Sequence, residues 1–324
     1  MRWTLVTGST GAVGHALVRA LRAEGRDVRC LVRHKERAAA ILPAGVDLAV
    51  GDVTDAPSLT AALRDCSAVF HAAGLPEQWH PDPGIFERVN VGGTVNLIEA
   101  SLLAGVQSFI YTSTQDLFDV QRDPYDETTR PQEPMTSAYE ISKTRADALV
   151  EQAIARGLPA IFMHPSAVYG PMGGTPTGTN RFLADLLNNR VPMLLPGGLP
   201  LVLNEDLAQA QLRAQVKAAV GARYLVAESR QTLQQIAHAV HALEPATKVP
   251  PVLPLWVAKL VAQSGDALSR LTHRPPLLTQ AELNVLCRTG KPDTTRVMRE
   301  LGWCPTPFSQ GLARTLTSFQ RVAA

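Results

Sequence analysis

Thr7-Gly8-Ser9-Thr10-Gly11-Ala12-Val13-Gly14 lies between an apolar run, Trp3–Thr7, and an amphipathic stretch, Ala12–Glu24. The run reads as a strand and the stretch as a helix. Gly8 can make the tight turn out of the strand. Gly11 lets the backbone approach a pyrophosphate, and Gly14 lets helix and strand pack closely. The helix N-terminus offers free N–H groups and the positive end of its dipole to phosphates. Three glycines at this spacing therefore predict a dinucleotide cradle built from Gly8, Ser9, Thr10, Gly11, Ala12, Val13 and Gly14.

Outward from this turn, apolar strands alternate with amphipathic helices. Strands are expected at Val28–Val32, Asp47–Val50, Ala68–His71, Ser108–Ser113 and Ala160–His164. Helices are expected at Ser58–Arg64, Ile85–Ala104 and Ala138–Arg156. Several strands are apolar without alternation, as in a parallel sheet covered on both faces. The order implies an α/β, doubly wound parallel sheet over residues 1–170. After Pro171 the composition shifts to Gly, Pro and Thr. Residues 171–324 read as a smaller, mostly helical part that completes a pocket. Its helices are expected near Thr179–Asn188, Asp206–Val220, Gln231–Leu243 and Leu255–Leu271, and a strand at Arg223–Ala227 is expected to return to the main sheet.

The end of the second strand reports on the cofactor ribose. No carboxylate precedes Glu36 there, and Arg33 stands where it can meet a 2′-phosphate, which favours NADP and leaves NAD possible. After the third strand, Asp52 and Val53 are expected on the adenine side, with a turn-forming Asp52 as the alternative. Ala72, Ala73 and Gly74 follow the fourth strand and are small enough for a cofactor to lie against the backbone.

Of the five tyrosines, Tyr139 alone has a lysine, Lys143, four residues on. That spacing puts phenol and ammonium on one helix face. A nearby ammonium is expected to lower the phenol's pKa, which suits proton exchange with a carbonyl oxygen. Tyr139 lies 25 residues after Thr114, which closes the fifth strand. Thr114, with Ser113 as its neighbouring alternative, is expected to hydrogen-bond both substrate oxygen and tyrosine.

Together with Asn90-Val91-Gly92-Gly93-Thr94 and His164-Pro165-Ser166-Ala167-Val168-Tyr169-Gly170-Pro171, these motifs resemble, in their order, the extended short-chain dehydrogenase/reductase family of NAD-dependent epimerase/dehydratase type. The likeness covers residues 3–171 and continues more weakly through Asn204–Ala208 and Glu300–Pro305. It implies a Rossmann domain and catalytic roles for Thr114, Tyr139 and Lys143, with Tyr139 and Lys143 also touching the cofactor. It also implies that Pro165 packs by the nicotinamide and that Asn90 plays a structural or cofactor-positioning part. His164 stands where the family frequently has Arg.

Within the family, Val32-Arg33 and the stretch Pro275-Pro276-Leu277-Leu278-Thr279 resemble the dihydroflavonol reductase and 3β-hydroxysteroid dehydrogenase-like branch. Gln115 and Asp116 do not form the acidic pair usual in dehydratases. Residues 172–204 carry Arg181 and Arg190 as their basic side chains, and Val191–Pro196 and Pro250–Val261 are apolar. A bulky, apolar ketone or secondary alcohol is the expected substrate, selected by Leu75–His80, Asp116–Tyr125 and Met172–Phe182, with Trp79 as a candidate wall. A nucleotide-sugar epimerase or reductase is the alternative.

A formal charge of +2 gives no field to hold nucleic acid. Four scattered cysteines offer neither a metal site nor a disulfide framework, so a reducing cytoplasm is expected. No signal-peptide pattern opens the chain, and no apolar run reaches the roughly 18 residues of a membrane span. The chain is expected to be a monomer, or a homodimer through helices Ile85–Ala104 and Ala138–Arg156.

Overall fold

Seven parallel strands carry the molecule. They are β1 (Trp3–Thr7), β2 (Val28–Val32), β3 (Asp47–Val50), β4 (Cys66–His71), β5 (Ser108–Thr112), β6 (Ala160–Pro165) and β9 (Arg223–Val226), in the order β3-β2-β1-β4-β5-β6-β9. The computed structural model describes residues 3–77, 79–131, 134, 135, 137–272, 276 and 278–323.

Successive residues of each strand feed opposite layers, as the pleat requires. Val6, Cys30, Phe70, Ile110 and Met163 pack on one face with Leu17 and Leu21 of helix Ala12–Ala23. Leu5, Leu31, Val69, Phe109 and Phe162 pack on the other with Leu97 and Val150. Strand order reverses between β1 and β4, whose ends pair Thr7 with His71. That switch point is where ligands sit in such sheets.

β9 does return to the main sheet, pairing Phe162 with Arg223 through Pro165 with Val226. Helices after residue 171 occupy Gly178–Leu187, Asn204–Lys217, Leu233–Leu243 and Leu255–Thr272. Gln231 belongs instead to a second, three-stranded sheet of β7 (Ala167–Tyr169), β8 (Gly198–Leu203) and β10 (Ser229–Thr232), in the order β10-β8-β7. A capping box of Thr232 and Gln235 sets the start of the following helix. The polar, four-residue β10 offers no apolar alternation to read.

Three further features depart from expectation. Helix Lys35–Ile41 follows β2 directly, and helices Gln280–Cys287, Thr295–Leu301 and Phe308–Ala323 complete the C-terminal part. The long helix expected at Ile85–Ala104 is interrupted: Gly84–Phe86 leads into a π turn, Glu87–Gly92, before Gly93–Ala104. Such insertions gather at functional positions.

Candidate functional site

Gly8 leaves β1 with φ +66°, and a Cβ on it would lie 2.7 Å from the Ala72 carbonyl carbon and the Ala73 nitrogen. A Cβ on Gly14 would meet the Gly8 oxygen at 2.2 Å. Both positions demand glycine, since even a methyl would push the ends of β1 and β4 apart at Gly8 and lift the helix off the turn at Gly14. Gly11 is the N-cap of helix Ala12–Ala23 and supplies no side-chain cap. The first N–H groups of that helix therefore face a cradle formed by Gly8, Thr10 and Gly11 on one side and Ala72, Ala73 and Gly74 on the other, with Ser9 buried beneath. An open helix end against close backbone fits a dinucleotide pyrophosphate.

A buried polar relay stands behind the cradle. Thr94 donates to the Asn90 carbonyl at 2.6 Å and lies 3.0 Å from His71 Nε2, so Nε2 carries the proton. His71 Nδ1 then accepts from Thr7 at 2.8 Å, and Thr7 accepts from the Ala73 N–H at 3.2 Å. Burial and the Lys143 charge lower the His71 pKa to about 3, keeping the ring neutral. Asn90, in the π turn, accepts from the Leu75 N–H at 2.8 Å and donates to Ser142 at 2.9 Å. Ser142 donates to the Tyr139 carbonyl at 2.8 Å. The π turn thus ties the loop after β4 to the helix that bears Tyr139.

Helix Ala138–Ile154 starts at a capping box between Ser137 and Glu140. This places Tyr139, Lys143 and Asp147 at successive i+4 positions on one face. Burial, and then the Asp116 carboxylate, hold the Tyr139 phenol above its usual range against a smaller downward pull from the neighbouring Thr114 side chain. The lowering expected from Lys143 is not what the geometry shows. Its ammonium donates to the Thr112 carbonyl at 2.8 Å and to the Tyr111 hydroxyl at 3.3 Å. Burial lowers the Lys143 pKa to about 8 against the opposing pull of Asp147. Both strand-end hydroxyls are engaged by carboxylates, Ser113 donating to Asp147 at 2.8 Å, and of the two it is Thr114 that neighbours the Tyr139 phenol.

The remaining expected residues are dispersed around the same edge. Arg33 is exposed at the end of β2. Asp52 is turn-forming: its Oδ1 accepts from the Thr54 N–H at 2.9 Å and the Thr54 hydroxyl at 2.7 Å. Val53 is buried against Gly93. Pro165 closes β6 and is buried. Trp79 is half-buried, in a loop whose Gln78 lies outside the described residues, as do Pro275 and Leu277.

Two arginines that sequence spacing could not flag complete the site. Arg288, just after helix Gln280–Cys287, pairs with Asp116 at 2.9 Å and with Glu140. These carboxylates neighbour Thr114 and Tyr139 respectively, and Thr114 itself donates to Asp116 at 3.0 Å. Arg223 of β9 pairs with Asp147 at 2.5 Å and lies over the Phe162 ring. Its guanidinium lies 3.4 Å from His164 Nε2. His164, lowered by burial to about 4, contacts the Thr114 carbonyl at 3.1 Å. The two weaker family motifs also meet: the Trp303 indole donates to the Asp206 carbonyl at 2.9 Å, and Thr306 caps the Asp206 carboxylate.

Comparison with known proteins agrees with this geometry. Residues 4–227 match the model of the NAD dependent epimerase/dehydratase family. The chain is 31% identical to sterol demethylase protein B of Methylococcus capsulatus, covering 98% of each chain. It is 28% identical to a putative dihydroflavonol 4-reductase of Synechocystis, covering 97% of this chain and 94% of the relative. The UDP-glucose 4-epimerase of Thermus thermophilus, solved with NAD, superposes with a TM-score of 0.76 at 23% identity, over 98% of this chain and 99% of that one. A glycine cradle at the switch point, a tyrosine–lysine helix face and a family match across two-thirds of the chain lead to one assignment: this protein is an enzyme of the NAD-dependent epimerase/dehydratase family, within the extended short-chain dehydrogenases/reductases.

Proposed function

We propose that the enzyme transfers a hydride between NADP(H) and the ketone or secondary alcohol of a bulky, apolar substrate of dihydroflavonol or sterol type. The carrying observation is the placement of Thr114, just after β5, and Tyr139, in the first turn of helix Ala138–Ile154, at the sheet edge beside the glycine cradle. The bound nicotinamide supplies or accepts the hydride. In reduction, Thr114 and Tyr139 hydrogen-bond the carbonyl oxygen and Tyr139 gives up its proton. A phenol held above its usual range is protonated at neutral pH, which suits this direction. Lys143 would hold the nicotinamide ribose and keep a positive charge near the phenolate left behind. Pro165 would back the carboxamide, and the second oxygen of Asp52, with Val53, would line the adenine side.

The relatives' names support a sterol- or flavonol-like substrate, and the apolar stretches of residues 171–324, our proposed substrate-binding part, agree. The free cysteines favour a reducing cytoplasm. A monomer, or a homodimer through the paired helices, is the proposed state.

A screen of ketones and aldehydes read by NADPH absorbance, beside a panel of nucleotide sugars, tests the reading. The substrate found should lose turnover by on the order of 10²–10⁴-fold in Tyr139→Phe, with cofactor affinity intact. Undiminished turnover, or turnover of the nucleotide sugars alone, would overturn it. NADPH should raise the melting temperature more than NADH, and Arg33→Ala should erase the difference. Equal shifts in the parent protein would assign the cofactor to NAD.

A further inference from the structure

We propose that one face of the C-terminal part docks on a bilayer surface carrying anionic lipid. The face joins residues 190–193, residues 248–252 and the outer side of the first turns of helix Leu255–Thr272, through Leu260. Leu194 donates its N–H to the Pro251 carbonyl and Leu253 donates to the Leu194 carbonyl, both at 2.8 Å. Asn189 accepts from the Lys248 N–H at 2.7 Å. The two segments therefore run side by side, and the helix begins two residues after Leu253. Ala258 and Ala262 are its buried face, packed with Leu278 and Leu283. This turns the intervening positions 256, 259 and 260 outward.

Trp256 is 68% exposed and Leu260 57%, with Leu255, Val252 and Met193 also exposed nearby. Single exposed apolar side chains are ordinary, but five on adjoining segments mark an interaction surface. An apolar cleft of about 260 Å³, lined in part by Leu186, Val191, Pro192, Val249 and Pro250, adjoins them.

Charge selects the occupant. Residues 186–204 and 245–265 contain Arg190, Lys248 and Lys259 and no Asp or Glu, although the whole chain balances 31 cations against 29 anions. All three cations are exposed. Apolar side chains led by a tryptophan, with three exposed cations among them and the flanking carboxylates Asp185, Glu205, Glu244 and Asp266 falling just beyond these segments, match the boundary between acyl chains and anionic headgroups. A second copy of the same face would set cation against cation. Among the described residues no helix is long and apolar enough to cross a membrane, so attachment would be peripheral. This surface would deliver an apolar substrate to the enzyme, but its test needs neither substrate nor cofactor.

The full chain should co-sediment with phosphatidylcholine vesicles containing phosphatidylglycerol, with a blue shift of tryptophan emission. Trp256→Ser with Leu260→Ser, and separately Lys248→Gln with Lys259→Gln, should each weaken partition on the order of tenfold, with unchanged melting temperatures. Partition that is absent in the parent protein, or equal in parent and both variants, overturns the proposal. So does a parent dimer that the Trp256/Leu260 variant converts to monomer without any vesicle binding, which would assign the face to a second copy.

Discussion

Lys143 shares a helix face with Tyr139, yet its ammonium is held by the Thr112 carbonyl and the Tyr111 hydroxyl. It therefore makes no direct bond to the phenol and would act on it through its charge. Burial has lowered its pKa from 10.5 to about 8, so its charge is complete below that pH and lost as pH rises through it. Loss of the cation removes stabilisation from the phenolate left by proton donation. We expect kcat/KM for ketone reduction to fall as pH rises through about 8, and Lys143→Arg to move that limb upward, because guanidinium stays charged. A limb that stays in place in the variant would assign it to another group. Spacing, position after the fifth strand and the family resemblance singled out Thr114, Tyr139 and Lys143 in the sequence. They did not reveal Arg223, because the contact with Asp147 joins residues 76 apart in sequence and depends on β9 lying beside β6.

At the level of elements, the ends of two helices meet at Arg288. The N-terminal turn of helix Ala138–Ile154 contributes Glu140, which also closes the capping box with Ser137. The other carboxylate, Asp116, has its pKa raised by burial, with the Arg288 guanidinium pulling the other way. Removing the cation leaves two buried carboxylates beside Thr114 and Tyr139, and the freed Asp116 draws more strongly on the Thr114 proton. Arg288→Met should cost about 3 kcal/mol in urea unfolding, the low end for breaking a buried pair given the arginine's partial exposure. Asp116→Asn added to it should restore part of the loss. An additive double variant would show that the pair is not coupled. The strand–helix order was readable because each strand of the main sheet is an apolar run between turn signals. The π turn was not, because Glu87–Gly92 continues a helical pattern and the extra residue leaves no mark in composition.

Across the whole molecule, residues 1–170 do not own their core. Val202, Leu207, Tyr224, Val297, Leu301 and Trp303 pack in the same apolar layer as Val6, Leu17, Phe70 and Ile110. Helix Asn204–Lys217 covers one face of the main sheet, where Gln211 donates to Thr112 at 2.8 Å. β9 pairs with the edge of β6 that would otherwise be open. The composition break near residue 171 marks a change in local character, and it falls before the residues that finish the first core. A chain cut there would expose the β6 edge and a broad apolar face, and both favour association over folding. We therefore expect residues 1–170 alone to lack a cooperative melting transition and to aggregate, while the full chain unfolds in one calorimetric transition. Trp303→Ala should lower the stability of that single transition by about 3–5 kcal/mol, because its side chain fills the shared layer. A soluble 1–170 fragment with its own sharp transition would show that the first core closes without the later segments, and the assignment of one folding unit would fall.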